Sequence, residues 1–390
     1  MRKSLKTFEI DKCRICEYGK FDEIGSLGTL AISNFTAKPS LNARKAPLEL
    51  ILCKRCSLLQ LRHNAPQEIM YARHYWYRSA LNRVIADDLK EIAHLFPEKK
   101  GTWIDIGAND GTLLRYVPKR FDRVGVEPAE NLCKELGKYA DDHLHEFWED
   151  IEIEQADVIT AIGMMYDSEE PNKFVANVKT HLKEDGVFVA QMMTLHPMMK
   201  LNDVANICHE HLLYPNYKAL VTLFERNGLE IFKVEENDIN GGSYRLFARH
   251  LKKGSIKYKE PKYGLKEYKE FFQRIEYNKK KTWEFINQIS NGSDKKVYGY
   301  AASTKGNTLL QYYKLDNKMI QGIAEKNPEK IGKYTVETSI PIVSENEARK
   351  KADYFFILSW AFTNEFIKRE KKWHKAGGKF LISIPNFRII

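Results

Sequence analysis

Three groups of side chains in the 390-residue chain have the types and spacing that chemistry requires. The first is Asn206-Ile-Cys-His-Glu-His211, where a carboxylate sits between two imidazoles. A carboxylate beside an imidazole sets its tautomer and pKa, as a general base needs. His-Glu-His lacks the His-x-x-x-His spacing that puts two imidazoles on one helix face for zinc, which excludes metalloprotease chemistry. His209, Glu210 and His211 are therefore candidate acid–base residues. The second group is Cys13-x-x-Cys16 with Cys53-x-x-Cys56. Two such knuckles can place four thiolates tetrahedrally around one zinc ion; with every position filled by protein, that ion is structural. Cys133 and Cys208 stand apart from the knuckles. The third group is aromatic, Tyr71-Ala-Arg-His-Tyr-Trp-Tyr-Arg-Ser79. Either it packs as core, the expectation for Trp76, or it caps a site and presents the phenol of Tyr77 or Tyr75.

These groups need a scaffold, and the clearest element of one is Trp103-Ile-Asp-Ile-Gly-Ala-Asn-Asp-Gly-Thr-Leu-Leu114. An apolar run, a tight loop and a helical start read as strand, corner and helix N-terminus. Such a corner lets backbone approach a ligand and aims free N–H groups at it. Asp105-x-Gly107-x-Asn109-Asp110-Gly111 resembles the first motif of class I S-adenosylmethionine (SAM) methyltransferases, and lacks the dinucleotide Gly-x-Gly-x-x-Gly spacing. A second short strand, Arg123 to Glu127, ends in an acid suited to accept hydrogen bonds from ribose hydroxyls. Asp105, Gly107, Asn109, Asp110, Gly111 and Glu127 are the candidate cofactor residues. Met164, after a further strand at 157–163, joins them.

Two more loops carry polar chemistry. Asn240-Gly241-Gly242-Ser243 reads equally as a hairpin turn and as a ligand loop, with glycines for close approach and Asn240 and Ser243 as hydrogen-bonding groups. Val297-Tyr-Gly-Tyr-Ala-Ala-Ser-Thr-Lys-Gly-Asn307 is a second strand–corner–helix unit. Lys305, with Ser303 and the amides at Gly306 and Asn307, would make a phosphate-binding corner. It is not a Walker motif.

Composition and periodicity supply the frame. Hydrophobic content of 43% and charged content of 29% describe an ordinary globular chain, long enough for two or three domains. No apolar run approaches the ~20 residues of a membrane span. The basic Met1–Phe8 stretch lacks the apolar core of a signal peptide, so a cytoplasmic protein is expected. The net charge of +10, from 62 basic and 52 acidic residues, is scattered and does not form the basic stripe of a nucleic-acid binder. A helix is expected from Ser79 to about Leu95, with Leu81, Val84, Ile85, Leu89, Ile92 and Leu95 on its apolar face. A Lys-rich linking helix is expected over 253–290. Alternating strands and helices predict an α/β protein: a small zinc module at 1–66, a central doubly wound sheet at 67–252 and a C-terminal Rossmann-like α/β domain at 253–390.

The order of these motifs resembles a family of SAM-dependent sugar C-methyltransferases. Its members have a zinc-binding N-terminal domain, a class I methyltransferase domain and a Rossmann-like C-terminal domain. The resemblance rests on the Cys pairs, Tyr75-Trp-Tyr-Arg-Ser79, Asp105 to Gly111, Cys208-His-Glu-His211, Asn240 to Ser243, Ala302-Ser-Thr-Lys-Gly-Asn307 and Ser339-Ile-Pro-Ile342. It implies a nucleotide-linked 4-keto deoxysugar as acceptor, methylated at C3 through an enolate, with SAM as donor and structural zinc. It implies His211 as base, Glu210 as its partner and Tyr77 as a polariser or proton relay near the ketone. Well-known C3-methylating members have Tyr where this chain has Cys208, so His209 or Tyr77 would take more of the acid–base work. An O- or N-methyltransferase is the nearest alternative. An RNA methyltransferase would leave the C-terminal unit unexplained, and a non-catalytic scaffold would predict decay at the glycine corner. Nothing in the sequence sets the oligomeric state, and a monomer is compatible with it.

Overall fold

The apolar runs on either side of the Asp105 corner pair as neighbours in one sheet. In the computed structural model, which describes residues 7–66, 70–71 and 74–390, the strands are β1 (Gly101–Ile106), β2 (Phe121–Val126), β3 (Asp142–Leu144), β4 (Ala156–Ile162), β5 (Leu182–Met193), β6 (Leu229–Asn237) and β7 (Ser243–His250). Their order is β6-β7-β5-β4-β1-β2-β3. β3, β2, β1, β4 and β5 run parallel, and β7 is antiparallel to β5 and to β6. This is the strand order of the class I methyltransferase sheet. Trp103, Ile104, Val158, Ile159, Phe188 and Val189 are all fully buried, as expected of central strands covered on both faces.

The chain forms two compact units. The first comprises Met1–Glu23, Ile51–His196 and Leu212–Pro261; the second comprises Ile24–Leu50, Pro197–His211 and Lys262–Ile390. These units cut across the boundaries expected at 66/67 and 252/253. The cysteine knuckles fall in the first unit with the seven-stranded sheet, and the His-Glu-His segment falls in the second.

In the first unit, α1 spans Arg83–Ile92 and buries Ile85, Leu89 and Ile92. It is shorter than the Ser79–Leu95 helix expected, for a local reason. Asn82 is extended (φ −114°, ψ 111°), and its side chain caps the amides of Val84 and Ile85. Ser79–Leu81 is a separate 3₁₀ turn, and Val84 is 39% exposed. Asp88 of α1 is buried and accepts from Arg245 at 2.7 Å and from Gln191 at 2.6 Å. Gln191 lies on β5 and Arg245 on β7, so this polar knot ties α1 to the sheet.

In the second unit, β8 (Val297–Tyr300), β9 (Ile323–Glu325), β10 (Ile342–Ser344), β11 (Tyr354–Ile357), β12 (Lys379–Ile382) and β13 (Arg388–Ile389) form a sheet of order β10-β9-β8-β11-β12-β13. It is parallel except for β13. The expected linking helix begins only at Leu265, after Pro261 and Gly264, and runs to Gly292. It is a packed element: Tyr268, Phe271, Ile275 and Ile286 are buried, and Arg274 donates to Asn202 at 2.7 Å. The helix Thr304–Tyr313 follows β8, with Ser303 as its N-cap. A Cβ on Gly306 would meet Leu358 Cβ at 2.9 Å, so glycine lets this helix start against the strand end. Residues 24–50 join this unit through Gln311, whose amide receives from Ala31 N at 2.8 Å and donates to Ala31 O at 3.1 Å. Phe35–Thr36 also pairs with Tyr334–Thr335.

Candidate active site and metal centre

The two Cys-x-x-Cys segments fold alike. Glu17 N donates to Cys13 O at 2.9 Å and Ser57 N to Cys53 O at 3.0 Å, and both Glu17 and Ser57 adopt positive φ. Each turn points its two thiols inward. Cys13 Sγ lies 3.6 Å from Cys56 Sγ and Cys16 Sγ lies 3.4 Å from Cys53 Sγ, with all four sulfurs buried and within 4.8 Å of one another. Tetrahedral zinc with bonds of ~2.3 Å spaces its sulfurs by roughly 3.8 Å, so the four thiols fit that ion. Cys13, Cys16, Cys53 and Cys56 would fill all four positions of such an ion and leave none open for substrate.

The donor pocket is built at the C-terminal ends of β1, β2 and β4. Gly107 (φ +68°) leaves β1 with its amide on Val126 O at 2.8 Å. A Cβ there would come within 2.8 Å of Met164 Cγ, so a side chain would collide with the pocket wall. Glu127, 5% exposed, holds both carboxylate oxygens in place by accepting from Asn109 N and Ala129 N, each at 2.9 Å. Gly107, Asn109, Glu127 and Met164 all line one pocket.

Asp105, Asp110 and Gly111 build the loop and do not line the pocket. Asp105 accepts from Thr160 Oγ1 at 2.7 Å beneath the corner. Asp110 accepts from Ala80 N at 3.0 Å and from Thr112 Oγ1 at 2.5 Å. Gly111 (φ +75°) supplies the left-handed step into the helix Thr112–Tyr116. Burial raises the carboxyl groups of Asp105 and Glu127 to about 7 each. For Asp105 the Thr160 hydrogen bond opposes the rise; for Glu127 the two backbone amides do.

The aromatic segment is stitched over this pocket. Asn131 exchanges hydrogen bonds with the backbone of Tyr75 (2.9 and 3.0 Å), and Asn109 does the same with Ser79 N (3.1 Å) and Tyr77 O (3.2 Å). Tyr71, Tyr75 and Tyr77 line the pocket, which favours the cap over the core reading. Trp76 departs from expectation: it is half-buried and packs edge-on to His74 at 4.2 Å. Arg73, part of the same sequence run, lies outside the described residues, as do Met1 to Lys6 of the basic N-terminal stretch. Glu146, Phe147, Trp148 and Glu149 also line the pocket and were not anticipated. Their signal was the aromatic pair Phe147-Trp148, which begins three residues past the end of the short strand β3.

Of the expected acceptor-binding loop, Asn240 (φ +55°) and Gly242 (φ +124°) form the turn of the β6–β7 hairpin. Ser243 Oγ is spent on Ile239 O at 2.9 Å. None of Asn240, Gly241, Gly242 and Ser243 lines the donor pocket.

The candidate acid–base residues Glu210 and His211 lie within the second unit. His211 N donates to Cys208 O at 3.1 Å, closing a turn over Cys208-His-Glu-His211. His211 Nδ1 lies 3.0 Å from Asn206 O and 2.8 Å from Asn206 Oδ1. A carbonyl only accepts, so Nδ1 carries the proton and the lone pair is on Nε2. Burial and then the Lys305 charge hold the imidazole well below its usual pKa, against the pull of Asn206; it is neutral at pH 7. Glu210 accepts from Thr304 Oγ1 at 2.9 Å. Burial raises its carboxyl, while Thr304, Lys305 and Lys330 oppose the rise. Asp203 accepts from Trp360 Nε1 at 2.7 Å; burial raises it too, against Lys305. Sequence reading missed Asp203, Asn206, Thr304 and Lys330, which carry no spacing signal.

Four expected residues sit differently from their sequence reading. His209 Nε2 donates to Ala46 O at 2.9 Å, and burial pushes its pKa down to about 4. It braces the 24–50 segment and does not join Glu210. Lys305, read as a phosphate ligand, places its charge where Asp203, Glu210 and His211 feel it. Ser303 Oγ caps Gly306 N at 2.9 Å, and Asn307 donates to Asn34 O at 3.2 Å.

Sheet order, glycine corner and ribose-type acid together define a SAM-dependent methyltransferase. Comparison with known proteins agrees. A "Methyltransferase domain" model matches residues 77–234, a "Putative zinc binding domain" model residues 13–71, and a "C-methyltransferase C-terminal domain" model residues 238–385. The three matches follow one another along the chain, zinc-binding, methyltransferase and C-methyltransferase C-terminal domain in that order. It is 28% identical to C-methyltransferase NovU of Streptomyces niveus, over 98% of this chain and 97% of that one. Solved structures similar to part of the chain include a SAM-dependent methyltransferase from Clostridium acetobutylicum ATCC 824 (12% identity, 42% of this chain and 90% of that one, TM-score 0.36). Another is the mitomycin 7-O-methyltransferase MmcR (16% identity, 44% and 56%, TM-score 0.38).

Proposed function

We propose that the protein methylates C3 of a nucleotide-linked 4-keto deoxysugar, with SAM as donor. The observation that carries this reading is the His211 imidazole: buried, neutral, held in one tautomer by Asn206 and adjacent to Glu210. A carbon must lose a proton before it can attack, and a ketone next to it makes that proton removable. SAM, when bound, supplies an electrophilic methyl group that the carbon's electron pair takes up. Asn109 and Glu127 hold its nucleoside end, and Tyr71, Tyr75 and Tyr77 line the same pocket. His211 Nε2 receives the C3 proton, and the electron pair of the broken C–H bond stays on the sugar as an enolate. Glu210 offsets the positive charge that the imidazole gains. Lys305 offers a cation for the enolate oxygen or for the nucleotide phosphates.

In this reading the acceptor is a small molecule and not a nucleic acid, and the protein works in the cytoplasm. Among the described residues no helix is long and apolar enough to cross a membrane. The test is mass spectrometry of reactions with SAM and a panel of nucleotide 4-ketosugars run in deuterated water. Methyl gain with deuterium exchange beside the ketone supports the reading. Methyl gain on oxygen with no exchange, or no turnover of any 4-ketosugar, overturns it.

A further inference from the structure

The turn that holds the acid–base pair also presents a soft ligand. We propose that Cys208, Glu210 and His211 bind a second divalent ion of the zinc type, distinct from the Cys13, Cys16, Cys53 and Cys56 site. One ligand atom from each of the three lies within 4.8 Å of the other two. Thiolate, imidazole and carboxylate are the three side-chain classes that zinc accepts, and three protein ligands leave the fourth position open. The His211 N to Cys208 O hydrogen bond at 3.1 Å brings the first and last residues of the turn together without help from distant chain.

The surroundings match those of a metal site. A metal-bound imidazole gives its other ring N–H to a carbonyl or carboxylate, and its carboxylate partner is itself hydrogen-bonded. Here Asn206 O takes the Nδ1 proton of His211, which puts the lone pair on Nε2. Thr304 Oγ1 orients Glu210 through Oε2 at 2.9 Å. Cys208 is 1% exposed and Glu210 8%, so an ion there is desolvated and its attraction to the two anionic ligands is strong. Lys305, whose charge reaches Glu210 and His211, opposes it. The ion therefore binds more weakly than the one held by four thiolates, and exchanges while that one stays. Occupation of Nε2 removes the proton acceptor, so zinc switches the enzyme off. Ion binding does not depend on the proposed function; only the switching rests on it.

The experiment equilibrates the full-length protein, carrying its tightly held zinc, with cobalt(II) or zinc(II) at buffered free concentrations. Bound metal is counted by mass spectrometry and cobalt is followed by its thiolate charge-transfer band. The expected result is a second ion per chain with one-thiolate character, lost in Cys208→Ala and weakened in Cys208→Ser. Binding of one ion only, or a second ion that persists in Cys208→Ala, overturns the site. Should Cys208→Ala fail to fold, the charge-transfer band of the second cobalt equivalent in the unaltered protein decides. A second ion that binds with no loss of turnover removes the switch and leaves the site, and the count needs no sugar substrate at all.

Discussion

His211 gives its Nδ1 proton to the backbone carbonyl of Asn206 at 3.0 Å. The bond selects one tautomer whatever the orientation of the Asn206 side chain, because a main-chain carbonyl cannot donate. A neutral ring with its lone pair on Nε2 is a ready proton acceptor, and Glu210 sits close enough to offset the charge that follows.

His211→Ala should lower turnover by ~10²- to 10⁴-fold, the usual worth of a positioned base. SAM affinity, measured by calorimetry, should stay within error of the parent, because His211 is not among the residues lining the donor pocket. Retained turnover would remove His211 as the base.

Glu127→Gln tests the ribose acid and carries a pH signature. Burial raises Glu127 from 4.5 to about 7. The folded state then binds its proton more tightly than the unfolded chain does. Stability due to this group falls as pH rises between those values and is level above them. Glutamine does not titrate. The parent should therefore lose stability relative to Glu127→Gln between about pH 5 and pH 8 in urea unfolding without SAM. Asp105, also raised to about 7, is pushed up in part by the Glu127 charge, so its own fall is smaller in the variant and adds to the difference in the same direction. SAM affinity of the parent should rise as pH passes through about 7, and should be weaker and pH-independent in the variant. A parallel pH dependence in the two proteins contradicts this role.

Chelation, or Cys16→Ser, should release the tightly held zinc and loosen residues 7–23 and 51–64, which the four thiols pull together. Hydrogen exchange should show protection lost there first. Undiminished protection after metal loss would show that the knuckles hold without it.

Arg245→Met should destabilise the first unit by about 3–5 kcal/mol, because it leaves Asp88 buried without its 2.7 Å partner. Adding Asp88→Asn should restore part of the loss. Thermal unfolding of the single and double variants measures both, and an additive pair would show that the two residues do not interact.

Much of this molecule was legible in its residues because the signals are local. Cys-x-x-Cys knuckles, the Gly107–Gly111 corner and the strand ending at Glu127 each lie within a dozen or so residues, where turn chemistry and hydrophobic period decide the backbone. Local signals also misled. Ser79 to Leu95 has helical period throughout, yet Asn82 caps the backbone and starts the helix afresh.

Contiguous residues thus determined the strands, the metal ligands and the donor corner. Only tertiary structure decided that His209-Glu-His211 leaves the sheet's unit, that Thr304 and Asn206 orient Glu210 and His211, and that the charge of Lys305 is felt there. The same holds for the segment 24–50, drawn to the second unit by a Gln311–Ala31 amide pair 280 residues apart in sequence. Such contacts depend on where folding brings side chains from distant positions. No period or spacing encodes them, because any polar residue that meets a buried backbone group at the right distance satisfies it equally well.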